Sequence, residues 1–164
     1  MAQGSNDNTI KKECGRYHEK HDMKRITIID GPSLNMTGTR EPHIYGSVKI
    51  TDYIETLRQR FPDIEIIYCQ SNIEGELINF IQEAANNTDG IIINAGGYCH
   101  TSVALHDALL SATIPVIEVH ISNIFAREEY RHHSLLTSAC QGMICGLGLE
   151  GYALALQKIA ETTC

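Results

Sequence analysis

The chain contains no tryptophan and only three phenylalanines among its 164 residues. That leaves little aromatic surface on which to stack a flavin. Positive charge is in deficit too. The formal net charge is −7, which argues against nucleic acid or an anionic membrane as the main partner, although a local basic pocket remains compatible with it. No apolar run approaches the roughly 18 residues of a membrane span. Residues 1–24 hold no apolar core of a secretory signal, so the cytoplasm is the expected location. The six cysteines, Cys14, Cys69, Cys99, Cys140, Cys145 and Cys164, form no CxxC pair. Reduced thiols are therefore expected rather than a disulfide framework. Eight histidines are present, but none falls into HExxH or a comparable ligand spacing, and adjacent His132 and His133 point apart on a helix. A histidine-based metal enzyme is a rival reading that metal analysis would decide.

What is present is an ordinary globular composition, 43% hydrophobic and 20% charged, at a length that fits one domain. Residues 1–24 are polar and lack periodicity, and they predict a disordered or loosely docked extension. Residues 25–164 predict the single domain.

From Arg25 onward, strand and helix signals alternate. Residues 25–29 (RITII) form a β-branched run closed by Asp30-Gly31-Pro32. A long loop, 31–46, carries three glycines and two prolines. Ile50, Ile54, Leu57 and Phe61 then recur at 4-3-4 spacing, one face of a helix that Pro62 ends. Residues 64–69 (IEIIYC) predict a second strand. Ser71 with Glu74 matches a capping box, and Ile73, Leu77, Phe80 or Ile81, and Ala84 predict the buried face of the next helix. Residues 90–94 (GIIIN) are apolar without alternation, as in a strand buried on both sides. Further signals predict a helix over 102–111, a strand over 115–120, a short charged helix over 126–133, a short strand within 142–148 and a closing helix over 152–162. Five strands alternating with helices imply a parallel α/β sheet, doubly wound and flavodoxin-like, in the order 2-1-3-4-5. Ligands in such sheets bind beyond the carboxyl ends of the strands, at the switch between strands 1 and 3.

Polar residues gather at that edge. Ser33, Asn35, Arg40 and Tyr45 follow strand 1; Asn94, His100, Thr101 and Ser102 follow strand 3; Glu118, His120, Ser122, Asn123 and Arg131 belong to strand 4 and what comes after it. Bland roles exist for several, since Asn94 suits a turn and Ser102 a helix cap. Glu118 is harder to dismiss, because a carboxylate in a strand covered on both sides is costly without a partner. His120, two residues on, shares its strand face, as in an oriented acid–base pair. Arg40 and Tyr45 lie between Gly38 and Gly46, a span that reads either as a solvated loop or as a lid. A guanidinium beside a tyrosine lowers a pKa that starts near 10, which would make Tyr45 a usable base.

Five segments carry a resemblance to a known family: GPSLNMTGTREPHIYG (31–46), QSNIEGELINFIQ (70–82), INAGGYCHTSVALHDAL (93–109), IEVHISNIFAREEYRHHS (117–134) and GLGLEGYALAL (146–156). In this order they resemble the type II 3-dehydroquinate dehydratases from about Arg25 to Ala160. The resemblance implies a flavodoxin-like lyase of the shikimate or quinate pathway that needs no metal or cofactor. It also implies a homo-oligomer, a dodecamer built as a tetramer of trimers. The reaction implied is loss of water from 3-dehydroquinate through an enolate. By motif position Tyr45 is the proton acceptor, Arg40 its activator and the transition-state stabiliser, His120 the proton donor and Glu118 its support. Asn94 aids the enolate through a water. His100, Ile121, Ser122 and Arg131 bind substrate hydroxyls and carboxylate, and Asp107 reaches a neighbouring subunit's site. Ser33 stands where the family usually has Asn, His106 where Arg is common, and Phe125 where His is common.

Other readings stay open at this level. One is a catalytically weak or silent homologue, resting on Ser33. Another is a flavodoxin-like module binding FMN or phosphate, suggested by Thr37-Gly38-Thr39. A phospho-receiver fails because strand 3 ends in Asn94 rather than Asp.

Overall fold

A computed structural model describes residues 23–39 and 47–162. Five parallel strands form one sheet in the order β2-β1-β3-β4-β5, as the alternation predicts. They are β1 (Lys24–Asp30), β2 (Ile64–Gln70), β3 (Gly90–Asn94), β4 (Val116–His120) and β5 (Gly142–Cys145). Among the described residues four α-helices cover the sheet: α1 (Ile50–Arg60), α2 (Glu74–Asn87), α3 (Val103–Leu110) and α4 (Glu150–Glu161).

The two-residue period of a strand sorts its side chains between layers. Ile26, Ile28, Ile92, Ile117 and Val119 face α1 and α4, where they meet Ile54, Leu57, Tyr152 and Leu156. Ile29, Ile91, Ile93 and Val116 face α2 and α3, beneath Leu77, Ile81, Leu105 and Leu109. Every residue of β3 is buried, which accounts for its unbroken isoleucines. Burial of each such side chain contributes about 1.5–3 kcal/mol, so α1 is held to the sheet by Ile50, Ile54 and Leu57 rather than by helix propensity.

Strand β1 begins at Lys24, one residue before the expected domain start. The Lys24 ammonium donates to the carbonyls of Ile159, Ala160 and Thr162 at 3.3, 2.9 and 2.6 Å. Those carbonyls lie at the end of α4, where helix geometry leaves acceptors unpaired and cations are favoured.

Three local expectations need correction. The charged segment 126–133 is not a helix but two short 3-10 turns, Ile124–Ala126 and Glu129–Arg131. Extended backbone at Arg127 and Glu128 separates them, and the segment has no apolar stripe to bury. Ser71 does not cap α2, whose N-cap is Ile73. The Ser71 amide still completes the ladder to the Asp30 carbonyl. Its hydroxyl accepts from the Ile73 amide at 2.9 Å and donates to Glu76 rather than meeting Glu74. Ile73 itself is 59% exposed rather than on the buried face.

Candidate active site

The carboxyl ends of β1 and β3 are locked together before the chain leaves the sheet. The Gly31 amide donates to the Asn94 carbonyl at 2.7 Å. A Cβ at Gly31 would stand 2.4 Å from the Ala95 carbonyl oxygen, so only glycine permits this approach. Ser33 then takes a left-handed conformation, φ 67°, which is uncommon outside glycine and asparagine. Its amide donates to Asn72 Oδ1 at 2.9 Å. These turns open a cleft of about 270 Å³ at the switch point, near the lower end of the roughly 300–1,000 Å³ usual for small-molecule sites.

Seven of the residues picked out from sequence line this cleft: Ser33, Asn94, His100, His120, Ile121, Ser122 and Arg131. They come from positions up to 98 residues apart (33 to 131), and the strand order makes them neighbours. Ser102 caps α3, accepting from the Leu105 amide at 2.9 Å, which is the bland role.

Glu118 has the partner that its burial demands. The carboxylate is fully buried. Its Oε1 accepts from His120 Nε2 at 2.8 Å and from Ser134 Oγ at 2.6 Å, while Oε2 accepts from Thr137 Oγ1. Burial alone would raise this carboxyl, but the three donors outweigh it and hold Glu118 below its ordinary value. Glu118 thus stays ionised, fixes the imidazole ring and leaves His120 Nδ1 as the other proton site.

Beside it, the His100 ring stacks on His120 with centroids 6.5 Å apart. Burial lowers the His100 pKa, although its bond to the His133 carbonyl opposes this. His100 is therefore neutral near pH 7. With Nδ1 donating to that carbonyl at 2.8 Å, Nε2 is left to accept from a hydroxyl.

Arg131 is braced by Glu128 at 2.9 Å and by the Tyr130 hydroxyl at 3.1 Å. Arg127 also lines the cleft and donates to Ser122 Oγ at 3.4 Å. Sequence reasoning missed Arg127. Its only signal was its place in AREEYR, where it is the first of two arginines. The two guanidiniums share one carboxylate, Glu128, which lies 3.5 Å from Arg127 and 2.9 Å from Arg131.

Asn94 sits on a buried polar network that was also missed. Its Nδ2 donates to the Tyr152 hydroxyl at 2.9 Å, and its Oδ1 accepts from the Gly96 amide at 3.3 Å. The Tyr152 hydroxyl donates to Asp30 Oδ1 at 2.7 Å, and that of Tyr68 to Oδ2 at 3.0 Å. Burial raises Asp30 from an ordinary 3.8 to about 7, with the two tyrosine bonds opposing it.

Cys99, Glu118 and His120 bring ligand atoms within 4.8 Å of one another, the only such group among the described residues. The donor chemistry does not suit a metal. Burial pushes the Cys99 thiol up to about 12, and both Glu118 oxygens are already engaged. The four described cysteines, Cys69, Cys99, Cys140 and Cys145, are free thiols.

Asp107 does not reach the cleft of its own chain. Its side chain is 69% exposed and is approached by His106 Nδ1 at 3.3 Å. Arg40 and Tyr45 lie outside the described residues.

The Dehydroquinase class II family model matches residues 24–160. A 3-dehydroquinate dehydratase of Actinobacillus pleuropneumoniae serotype 5b is 54% identical over 136 residues, 82% of this chain and 88% of that protein. One from Photorhabdus laumondii is 49% identical over 146 residues, 88% of this chain and 93% of that protein. Among solved structures, a type II dehydroquinase from Butyrivibrio crossotus superposes with TM-score 0.80 at 45% identity, covering 84% of this chain and 98% of that one. Another, from Propionibacterium acnes, gives TM-score 0.82 at 40% identity, covering 85% and 97%.

Proposed function

The chain belongs to the class II dehydroquinase family, and from that premise we propose how its residues divide the work of a 3-dehydroquinate dehydratase. The enzyme is a hydro-lyase that converts 3-dehydroquinate to 3-dehydroshikimate and water. Two problems must be solved: a weakly acidic proton beside a ketone has to leave, and hydroxide is a poor leaving group.

Tyr45 takes the proton, with Arg40 lowering its pKa and stabilising the charge that develops. Asn94 faces the enolate oxygen, through a water. His120 protonates the departing hydroxyl, and the ionised Glu118 keeps the imidazole correctly turned. Arg131 takes the substrate carboxylate through two parallel hydrogen bonds. His100, Ser122 and the Ile121 backbone receive hydroxyls, and Ser33 borders the enolate water. The observation that carries this reading is the buried Glu118–His120 pair, 2.8 Å apart, opening on a cleft lined with arginine.

Assembly follows from the same premise. Asp107, Val103 and Phe125 are exposed, as suits a face that packs against a second copy. A dodecamer made of four trimers is the form proposed, with Asp107 entering a neighbour's cleft. No helix among the described residues is long and apolar enough to cross a membrane, and the cytoplasm is the proposed location.

The test is to add 3-dehydroquinate to purified protein and follow the ultraviolet absorbance of the conjugated product, with parallel samples containing chelator and borohydride. A rise that survives both supports dehydration through an enolate. A rise abolished by borohydride would point to an imine route and overturn the assignment, as would no rise from a folded oligomer.

A further inference from the structure

We propose that Asp30 and Tyr152, neither of which lines the cleft, are positioning residues that fix which way round the Asn94 amide sits. The proposal rests on the reading of Asn94 as the group facing the enolate oxygen.

The two ends of a carboxamide have nearly the same shape, so only its partners decide its orientation. Asn94 is almost fully buried, and Asp30 and Tyr152 are fully so. The chain of donors has one direction. A Tyr152 hydroxyl has a single proton, and Asp30 Oδ1 receives it at 2.7 Å. The same oxygen must then accept, and Asn94 Nδ2 supplies the donor at 2.9 Å. An ionised carboxylate can only accept, so the sequence Asn94 to Tyr152 to Asp30 cannot reverse. Asn94 Oδ1 is thereby turned to the Gly96 amide, at the edge of the cleft.

The placement is specific in the fold. Asp30 and Asn94 are register partners at the carboxyl ends of β1 and β3. Tyr152 reaches them from α4 through an otherwise apolar layer, where an unsatisfied hydroxyl would be costly. Tyr68 also donates to Asp30, at 3.0 Å, but makes no bond to Asn94. It therefore satisfies the same carboxylate without touching the amide.

Protonation of Asp30 would break the one-way rule. A neutral carboxyl carries a donor of its own, and given to Tyr152 it would turn that hydroxyl toward Asn94 and demand the amide oxygen there. The groups facing Asp30 are Tyr68 from β2, Tyr152 from α4 and the uncharged Asn94 from β3. Both tyrosines are pushed above their ordinary value by burial, so Asp30, at about 7, is the member of this cluster that titrates near neutrality.

Steady-state kinetics on 3-dehydroquinate separate the possibilities. Tyr152→Phe is expected to lower kcat roughly 10- to 100-fold through misplacement of Asn94, with KM changed much less. Tyr68→Phe takes one donor from the same carboxylate, so its acid-side fall is expected to move to higher pH, while kcat on the alkaline side of that fall stays at the wild-type value. Asp30→Asn can keep an oxygen toward Tyr152 and its amide hydrogen toward Tyr68. It should hold kcat above neutrality and remove the part of the wild-type loss that appears as pH falls through about 7. Equal losses in Tyr152→Phe and Tyr68→Phe on the alkaline side of that fall, or full kcat in Tyr152→Phe, would overturn the proposal. Should Tyr152→Phe fail to fold, the Asp30→Asn profile decides alone: an acid-side fall identical to that of the wild type overturns it. Asn94→Ala with undiminished kcat is a different failure, that of the reading of Asn94 itself.

Discussion

Replacing Glu118 by glutamine removes one charge from the site while nearly keeping its shape. In the wild type three donors converge on the carboxylate: His120 Nε2, Ser134 Oγ and Thr137 Oγ1. A glutamine can place its oxygen where Oε1 was and keep His120 and Ser134. Its amide nitrogen then meets Thr137, whose hydroxyl can turn and accept. The hydrogen-bond count survives, and what disappears is the negative charge beside the imidazole.

A hydrogen bond to a charged group contributes about 1.5–3 kcal/mol. At about 1.4 kcal/mol per tenfold, that alone lowers kcat roughly 10- to 100-fold. Complete loss of general-acid assistance would bring the deficit to about 10²–10⁴-fold. The assay is formation of the conjugated product under saturating substrate, with far-ultraviolet circular dichroism to confirm folding. Pairing the variant with His120→Ala isolates the connection. Groups that act as one unit are not additive, so Glu118→Gln/His120→Ala should be no slower than His120→Ala alone. Folded Glu118→Gln with kcat within about threefold of wild type would refute the role of the pair. So would fully additive losses in the double variant.

Tyr45→Phe should abolish turnover and leave substrate affinity close to wild type, measured by kinetics and by calorimetry. Arg131→Ala should raise KM by roughly 10- to 200-fold through the lost bidentate carboxylate contact, with a smaller effect on kcat. Ser33→Asn should raise the melting temperature by a few degrees, since asparagine tolerates the left-handed φ of 67° better than serine; a lower melting temperature would show that the Ser33 backbone is not strained. For Asp30 the sign works against the charged form. The folded value, about 7, lies above the ordinary 3.8, so the native state holds the proton more tightly and loses stability as pH rises between the two. At about 1.4 kcal/mol per pH unit the loss approaches roughly 4 kcal/mol. Urea melts should therefore show Asp30→Asn gaining on the wild type as pH rises from about 4 to about 7.5.

Much of this was legible because local patterns and the fold agree. The strands announce themselves as β-branched runs closed by Gly, Pro and Asn, and α1 by its 4-3-4 face. Glu118 stood out because a carboxylate inside a buried strand requires a partner, and His120 lay on the same face. Asp30 met the same condition but was hidden by position. At the end of its run, before Gly31-Pro32, it reads as a turn former. Tyr152 reads as one more apolar residue of an amphipathic helix, since only the sheet order brings α4 over the ends of β1 and β3. Ser134 and Thr137 reach Glu118 from 16 and 19 residues away, through a segment without periodicity. The misjudged helix over 126–133 has the converse cause. Charged residues with good helix propensity filled it, but propensity without an apolar face does not sustain a helix. Its failure leaves Arg127 on the extended backbone between the two turns and Arg131 on the second of them, and both still line the cleft.

The two buried carboxyls behave oppositely for a reason that the hydrogen bonds supply. Both are fully buried, and burial disfavours the charge of each. Glu118 receives three donors, one of them an imidazole able to carry positive charge, and its pKa falls. Asp30 receives two neutral hydroxyls, which oppose burial without overcoming it, and its pKa rises. The division suits the chemistry on each side of the cleft. On the side proposed to supply the acid, a fixed negative charge adjoins His120 directly and holds its ring through Nε2. On the enolate side a fixed negative charge would oppose the negative charge of the intermediate. There the carboxyl stands two hydrogen bonds behind Asn94, 2.7 and 2.9 Å long, spread over two tyrosine hydroxyls. In the reaction proposed it acts through the direction of those bonds, so that what faces the enolate is an oriented amide and not an anion.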